Sequence, residues 1–200
     1  MRSIIIKSTS GQMLQPTAEP GDFKYQYNPN GTLDTVFAGS YQPVAYFGLS
    51  VGVNYKAFDF SIDLYGNVGN QVYNGKKAFR QSTTDNVEAS VAENSWTNSN
   101  HTQTNPRPNG GNLPASTYFI ESGDFVRINN LTIGYTIPAK KLQNQKVISG
   151  FRIYTNCQNL FTLKKYSGFT ADLPGTDATN QGIEFNSYPT TRTYAFGNQC

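Results

Sequence analysis

The strongest constraint in this chain is a pair of alternating runs between Phe47 and Val68. Phe47, Leu49, Val51, Val53 and Tyr55 take odd positions, with Gly48, Ser50, Gly52 and Asn54 between them. The parity then flips: Phe58, Phe60, Ile62 and Leu64 take even positions around Asp59, Ser61 and Asp63. A period of two sends successive side chains to opposite faces of a strand. The one-step phase change at Lys56-Ala57 therefore predicts a tight antiparallel hairpin, the arrangement that keeps both apolar sets on one face.

A second pair follows. Leu131, Ile133, Tyr135 and Ile137 alternate with Asn130, Thr132, Gly134 and Thr136, and Pro138 with the Lys/Gln/Asn-rich stretch 139–146 ends the run, since proline cannot donate to a ladder. The return strand places Phe151, Ile153 and Thr155 on one face and Arg152, Tyr154, Asn156 and Gln158 on the other. A last strand-like run covers 191–197. Between the hairpins lie two polar stretches, 70–117 and 164–188, rich in Asn, Gly, Pro, Ser and Thr. Loops of that length are uncommon in compact soluble domains.

Composition narrows the class. Aromatics reach 14% while charged residues are only 14%, with Asn, Thr, Ser, Gln and Gly filling the gap. That mixture excludes coiled coils and disordered tails. A net charge of +3, spread along the chain, speaks against nucleic acid as a partner. No run of about 18 apolar residues exists for a transmembrane helix, and the Ile4-Ile5-Ile6 core of the N-terminus is too short for a signal peptide.

Two all-β architectures fit the alternation, a β-sandwich and an outer-membrane barrel. Three details favour the barrel. Polar faces carrying Asn54, Asp59, Asp63 and Arg152 suit a wet lumen. Tyr and Phe collect at strand ends (Tyr41, Tyr46, Phe47, Tyr65, Tyr73, Tyr135, Tyr154), as interface girdles require. Short turns at one end against long loops at the other is the asymmetry of a barrel whose turns are periplasmic and whose loops are extracellular. The expected fold is an antiparallel meander of about five or six strands.

Several segments then carry a resemblance. The stretch 118–138, YFIESGDFVRINNLTIGYTIP, resembles a late-strand segment of SusC/RagA-type TonB-dependent outer-membrane transporters of Bacteroidetes. So do 151–162 (FRIYTNCQNLFT) with 165–169 (KYSGF), Tyr188-Pro189 with 192–197 (RTYAFG), 20–25 (PGDFKY) and 54–61 (NYKAFDFS). Trp96 and Asn105-Pro106-Arg107 fall where that family has a W…NP loop. In register and order, the resemblance covers roughly residues 12–197.

The resemblance implies that residues 1–200 are the C-terminal segment of a barrel, without signal peptide or plug domain. It implies a place in the cell outer membrane, in contact with lipid, and a part in active import of oligosaccharides or peptides. A SusD-like surface lipoprotein and the TonB complex are the implied partners, the latter acting through a missing N-terminal part. The family's acidic loop appears as Asn28-Pro-Asn-Gly-Thr-Leu-Asp34, with most carboxylates lost, so no metal is expected where hard cations need charged oxygens.

For substrate, the lumen-facing candidates are Asp59, Ser61, Asp63 and Arg152, and the loop or lid-contact candidates are Trp96, Arg107 and Tyr166. Catalysis is not expected, and neither is a cofactor. Asp59 and Asp63, four apart on one strand, lie on the order of 13 Å apart, beyond the ~6.5–9.5 Å of an inverting glycosidase. Glu121 and Asp124 read as turn or capping residues. The lone His101 has no nucleophile or ligand set beside it, and Cys157 and Cys200 are too few for a disulfide framework. Trp96 reads either as a sugar-stacking platform or as an anchor for its own loop. Gly66, Gly69, Gly110 and Gly111 read as turn and packing glycines, since a phosphate cradle would need a following helix and none is readable. The alternative from another class is a secreted β-sandwich binding or adhesion module, which would enclose its apolar residues between two sheets.

Overall fold

The computed structural model describes residues 4–5, 15, 17–80, 86–108, 113–138, 150–173, 181–185 and 187–199. Its strands are β1 (Ile4–Ile5), β2 (Phe23–Lys24), β3 (Ala45–Tyr55), β4 (Phe58–Val68), β5 (Gln71–Asn74), β6 (Ile120–Ser122), β7 (Phe125–Pro138), β8 (Gly150–Lys164), β9 (Ile183–Glu184) and β10 (Thr193–Gln199). Among the described residues two short helices, α1 (Gly75–Arg80) and α2 (Ala89–Glu93), accompany these largely antiparallel strands. None of the described helices is long and apolar enough to cross a membrane. The chain divides into two compact units.

One unit (Tyr41–Asn70, Ser122–Pro174, Ser187–Cys200) holds a five-stranded sheet ordered β10-β8-β7-β4-β3. Consecutive sheet strands are neighbours throughout, so the expected meander is observed. In the first hairpin Tyr55 faces Phe58, Val53 faces Phe60, Val51 faces Ile62 and Leu49 faces Leu64, the pairing that the parity flip demands. The turn works because Lys56 adopts a φ of 56°, the left-handed excursion by which a two-residue loop matches the strands' twist. β7 and β8 continue the pattern, with Leu131 on Ile62, Ile133 on Phe60, Ile153 on Tyr135 and Cys157 on Leu131.

Two strands run differently from expectation. β8 extends to Lys164, past the expected Gln158, and β10 spans Thr193–Gln199 instead of 191–197. The register also shifts between Asp63 and Leu64 against β7, and between Ile128 and Asn130 against β8. Asn129 is the extra residue of β7 opposite β4, while Asn159, at a φ of 52°, relieves the mismatch in β8. The bulge flips parity in β7, so Ile128 stays on the apolar face although Ile133 and Leu131 are odd-numbered and it is even. The 139–146 stretch, Gly110, Gly111 and Cys200 lie outside the described residues.

The apolar face of this sheet is bare. Leu49 is 54% exposed, Phe161 49%, Ile153 50% and Phe196 82%. A soluble sheet buries such a face beneath a second layer.

The other unit (Met1–Ser40, Gln71–Glu121, Gly175–Asn186) corrects the reading of 70–117 as polar loop without helix. It contains the strand order β6-β5-β9, both helices, and a 3-10 turn at Thr117–Phe119. Packing drives this. Val72 and Phe119 are fully buried, and each such side chain contributes roughly 1.5–3 kcal/mol by leaving water. Phe23 and Trp96 form a second centre with Tyr25, Leu113 and Tyr118 against it. Gly21, at a φ of 91°, lies so near the Trp96 ring that any Cβ there would overlap it. Asn74 Oδ1 caps α1 by accepting from the Lys77 amide at 2.8 Å.

Tyr25 has a consequence that can be measured. Its hydroxyl is buried without a hydrogen-bond partner, and burial first, then Asp22 and Tyr27, push its pKa up to about 12. The folded protein keeps this proton while an unfolded chain loses it near 10. The associated stability is complete below pH 10 and disappears as pH rises toward 12. Phenolate absorbance, recorded as the difference between wild type and Tyr25→Phe, should show a single midpoint near 12; a midpoint near 10 would mean that the hydroxyl is solvated.

Candidate functional site

The face opposite the bare one is polar and its side chains are engaged with each other. Its rows run from the Lys56-Ala57 turn toward the long connections: Asp59, Gly134 and Tyr154; Ser61, Thr132 and Asn156; Asp63, Asn130 and Gln158; Tyr65, Arg127 and Thr162. Alternation in β4 puts Asp59, Ser61, Asp63 and Tyr65 on one face, and the cross-strand register extends that face to β7 and β8.

In the first row, Asp59 reaches over β7 to Arg152. The guanidinium donates from Nε to Oδ1 at 3.0 Å and from Nη2 to Oδ2 at 2.5 Å, a two-pronged pair. Gly134 makes this possible, because a Cβ there would overlap the Asp59 carboxylate. The Arg152 guanidinium also lies 4.9 Å from the Tyr154 ring centre, and Tyr154 itself rests over Gly197. Glycines on neighbouring strands thus leave room for the large side chains between them.

The middle rows form a ladder of amides and hydroxyls around the Asp63 carboxylate. Asn130 donates to Asp63 at 3.2 Å, and Asn156 donates to Asn130 at 2.6 Å and to Thr132 at 2.8 Å. Ser61 shares the row of Thr132. The structure therefore brings the four lumen-facing candidates, Asp59, Ser61, Asp63 and Arg152, onto one face. Two of them, Asp59 and Arg152, neutralise each other.

The fourth row contains a residue that sequence reasoning missed. Arg127 is 4% exposed. Its Nε donates to Thr162 Oγ1 at 3.0 Å, Nη1 to the Tyr65 hydroxyl at 2.8 Å and to Asp172 Oδ2 at 3.1 Å, and Nη2 to Thr170 Oγ1 at 3.1 Å. The Tyr65 and Phe125 rings flank it at 5.6 and 5.4 Å. Tyr65 also donates to Asp172 at 2.6 Å. The signal for this site was an arginine at an inward position between Val126 and Ile128.

The other candidates sit elsewhere. Tyr166 is buried in the segment that follows β8. In the second unit, Trp96 is 9% exposed and stacks on His101 with ring centres 5.4 Å apart and planes 8° apart. That is the packing of a loop anchor, with no free face for a sugar. Arg107 donates to Asp22 Oδ1 at 2.5 Å and pairs with Glu19, and these partners hold its pKa above the usual value. Glu121 accepts from Asn74 at 3.2 Å, while Asp124 takes the Gly69 amide at 2.6 Å. Burial lowers the pKa of Lys77, opposed by Glu121 and Glu88, and its ammonium lies 3.8 Å from the Tyr118 ring centre.

Among the described residues no three His, Cys, Asp or Glu side chains converge as metal ligands, and Cys157 is free. In the Asn28–Asp34 segment, Asn30 Oδ1 accepts from the Thr32 amide at 3.1 Å and from its hydroxyl at 2.7 Å, closing a local turn.

The Gly134 cradle predicts coupling in a double-mutant cycle. Gly134→Ala should destabilise the protein by roughly 1–3 kcal/mol through overpacking. The same substitution in an Asp59→Ser background should cost less than about half as much, since the obstructing carboxylate is gone. Denaturant midpoints of the four proteins measure this, and equal costs in both backgrounds would refute the cradle.

No protein-family model matches the chain. Among curated proteins it is 31% identical over 176 residues to the TonB-dependent receptor SusC of Bacteroides thetaiotaomicron, a match covering 85% of this chain and 16% of the receptor. TonB-dependent receptor P3 of Formosa agariphila is 28% identical over 172 residues, covering 83% of this chain and 17% of that protein. Among solved structures, the RagAB peptide importer in its closed-closed state aligns with a TM-score of 0.67 at 25% identity, over 86% of this chain and 20% of the other. The open-open state aligns equally well, with a TM-score of 0.67 at 26% identity, over 88% of this chain and 19% of the other. The chain thus spans under a fifth of the length of these curated relatives. By sequence and by backbone alike, the chain is related over most of its own length to the SusC/RagA-type TonB-dependent receptors.

Proposed function

We propose that this chain is the C-terminal barrel segment of an outer-membrane transporter that imports nutrients, oligosaccharides or peptides, in a TonB-dependent way. The observation that carries the reading is the two-faced sheet. An apolar face left bare across five strands matches hydrocarbon, and a polar face whose groups hydrogen-bond one another matches a wet lumen. The sheet ends at β3 and β10, and strand edges cannot remain unpaired in lipid. Further strands of a larger barrel supply the missing partners. The kinship with SusC and with a peptide importer supports the transport reading, and a SusD-like lipoprotein at the loop end together with the TonB complex are its expected partners. In this reading Asp59, Ser61, Asp63 and Arg152 line the passage, while Trp96, Arg107 and Tyr166 are the candidates for loop or lid contact. The adhesin alternative needs an apolar core enclosed between sheets, and the exposures of Leu49, Ile153 and Phe196 run the other way.

Neighbouring positions of β8 test this. Cys157 is on the apolar face and Asn156 on the polar one. In outer-membrane vesicles carrying the full-length protein, Cys157 should resist a water-soluble maleimide yet react with a lipid-soluble one. A cysteine at Asn156→Cys, in a Cys157→Ser background, should react with the water-soluble reagent, both proteins carrying Cys200→Ser. Equal reactivity of both positions toward the water-soluble reagent would exclude a membrane-spanning strand.

A further inference from the structure

The segment 165–173 does not leave the sheet as a free loop. It turns back over the polar face at the end opposite the Lys56-Ala57 turn, where Thr170 and Asp172 reach the Tyr65–Arg127–Thr162 row. Lys164, the last residue of β8, donates its ammonium to the carbonyls of Tyr166, at 3.0 Å, and Gly168. Tyr166, Thr170 and Ala171 are 2%, 5% and 3% exposed. Phe125, an apolar residue on this otherwise polar face, is 4% exposed. The segment is seated on the inner wall at the long-loop mouth.

From this seating we infer that residues 165–173 form a strap across the mouth of the passage, latched by the Arg127–Asp172 pair and released when cargo passes. The inference rests on the transporter reading above and adds to it a moving part. The latch is asymmetric, and that asymmetry is what lets it open. The wall half is held independently of the strap: Arg127 keeps Thr162, the Tyr65 hydroxyl and two ring faces whether or not the strap is present. The strap half is the part near water, with the Asp172 side chain 41% exposed against 5% for Arg127. On release, Asp172 and Thr170 exchange their guanidinium contacts for water, while Arg127 keeps its hydrogen bonds to Thr162 and Tyr65 and both rings, and the side that the strap covered turns to water. Neither charge is then both buried and unpaired, the condition that makes breaking a buried pair costly. Two discrete arrangements of one short segment are the kind of element on which gating is built. Arg127 is here a positioning residue.

The experiment uses the intact polypeptide in the outer membrane of living cells, with Cys157→Ser and Cys200→Ser and one new cysteine, Ala171→Cys, at a buried position of the strap. The probe is a membrane-impermeant polyethylene-glycol maleimide, read as a mass shift over time. Cells are held in medium containing tryptone peptides and soluble starch, either energised or treated with a protonophore. We expect slow labelling in de-energised cells and at least about tenfold faster labelling in energised ones. Asp172→Asn, which keeps the volume but weakens the latch, should label fast in both. Heat-modifiable migration checks that each variant is folded. Labelling that is equally slow with and without energy would overturn the proposal, whatever Asp172→Asn does, because the strap would be fixed wall. Fast labelling in de-energised cells would overturn it too, since the strap would not be closed at rest. A Ser167→Cys control, at an exposed position of the strap, should label at one rate throughout. Failure of that control would overturn the surface placement itself, and so separates the failure of the barrel reading from the failure of the strap.

Discussion

Everything on the polar face depends on one constraint, the register that carries a period-two alternation across five strands. Asp59 meets Arg152, and Tyr65 meets Arg127, only because β4, β7 and β8 present the same face at the same level. A slip of one residue in any strand would send its whole set to the other side. The Asp59 carboxylate would then lie in the apolar band. Register in this sheet is therefore specified from both sides: by the demand that polar groups find partners and by the demand that apolar groups do not face them. The bulge at Asn129 obeys the same demand. It adds a residue so that Ile128 and Phe161 rejoin the apolar face after Asn130 and Gln158 have left it.

Glycine governs how the polar face is filled. Side chains there are large, and neighbouring strands lie only about 4.8 Å apart. A two-pronged bond between Asp59 on β4 and Arg152 on β8 must cross β7, and it crosses at Gly134. Tyr154 leans outward over Gly197 in the same manner. Asp59 with Arg152 and Arg127 with Asp172 are thus paired within the protein, Asp63 takes the Asn130 amide, and amides and hydroxyls form the remaining surface.

The strands were legible in the sequence because their signal is local. Alternation needs only neighbouring residues, so both faces of β3 and β4, and the turn at Lys56-Ala57, could be read directly. The family resemblance was legible for the same reason, as short segments in a fixed order. The bulge left a local trace as well, since Val126 and Ile128 are even and Leu131 is odd, but a parity change inside a strand reads as the end of one. What stayed hidden was non-local. Phe23, Val72, Trp96 and Phe119 are separated by up to about a hundred residues and share no period, yet all four are buried, and packing brings Phe23 and Trp96 together. The stretch 70–117 looked like loop because its apolar residues are few and irregular. Arg127 was in plain view, but its importance is defined by Tyr65, Thr162, Thr170 and Asp172, which only the fold assembles.

The choice of arginine at that position follows from geometry. A buried cation must satisfy every donor or bear the desolvation cost of those left over. Lysine offers a compact ammonium whose three donors radiate from a single nitrogen. Arginine spreads its donors over a plane, and at position 127 that plane must reach a hydroxyl on each neighbouring strand and two side chains of the segment above. The flat guanidinium also fits between the Tyr65 and Phe125 rings, where a tetrahedral ammonium would engage one ring at most. The residue thus joins three strands and the returning segment through one side chain. Its contacts to Thr162, Tyr65 and the two rings are all to groups outside the segment, so the wall holds the arginine through contacts of its own. The segment, by contrast, needs the wall in order to be placed.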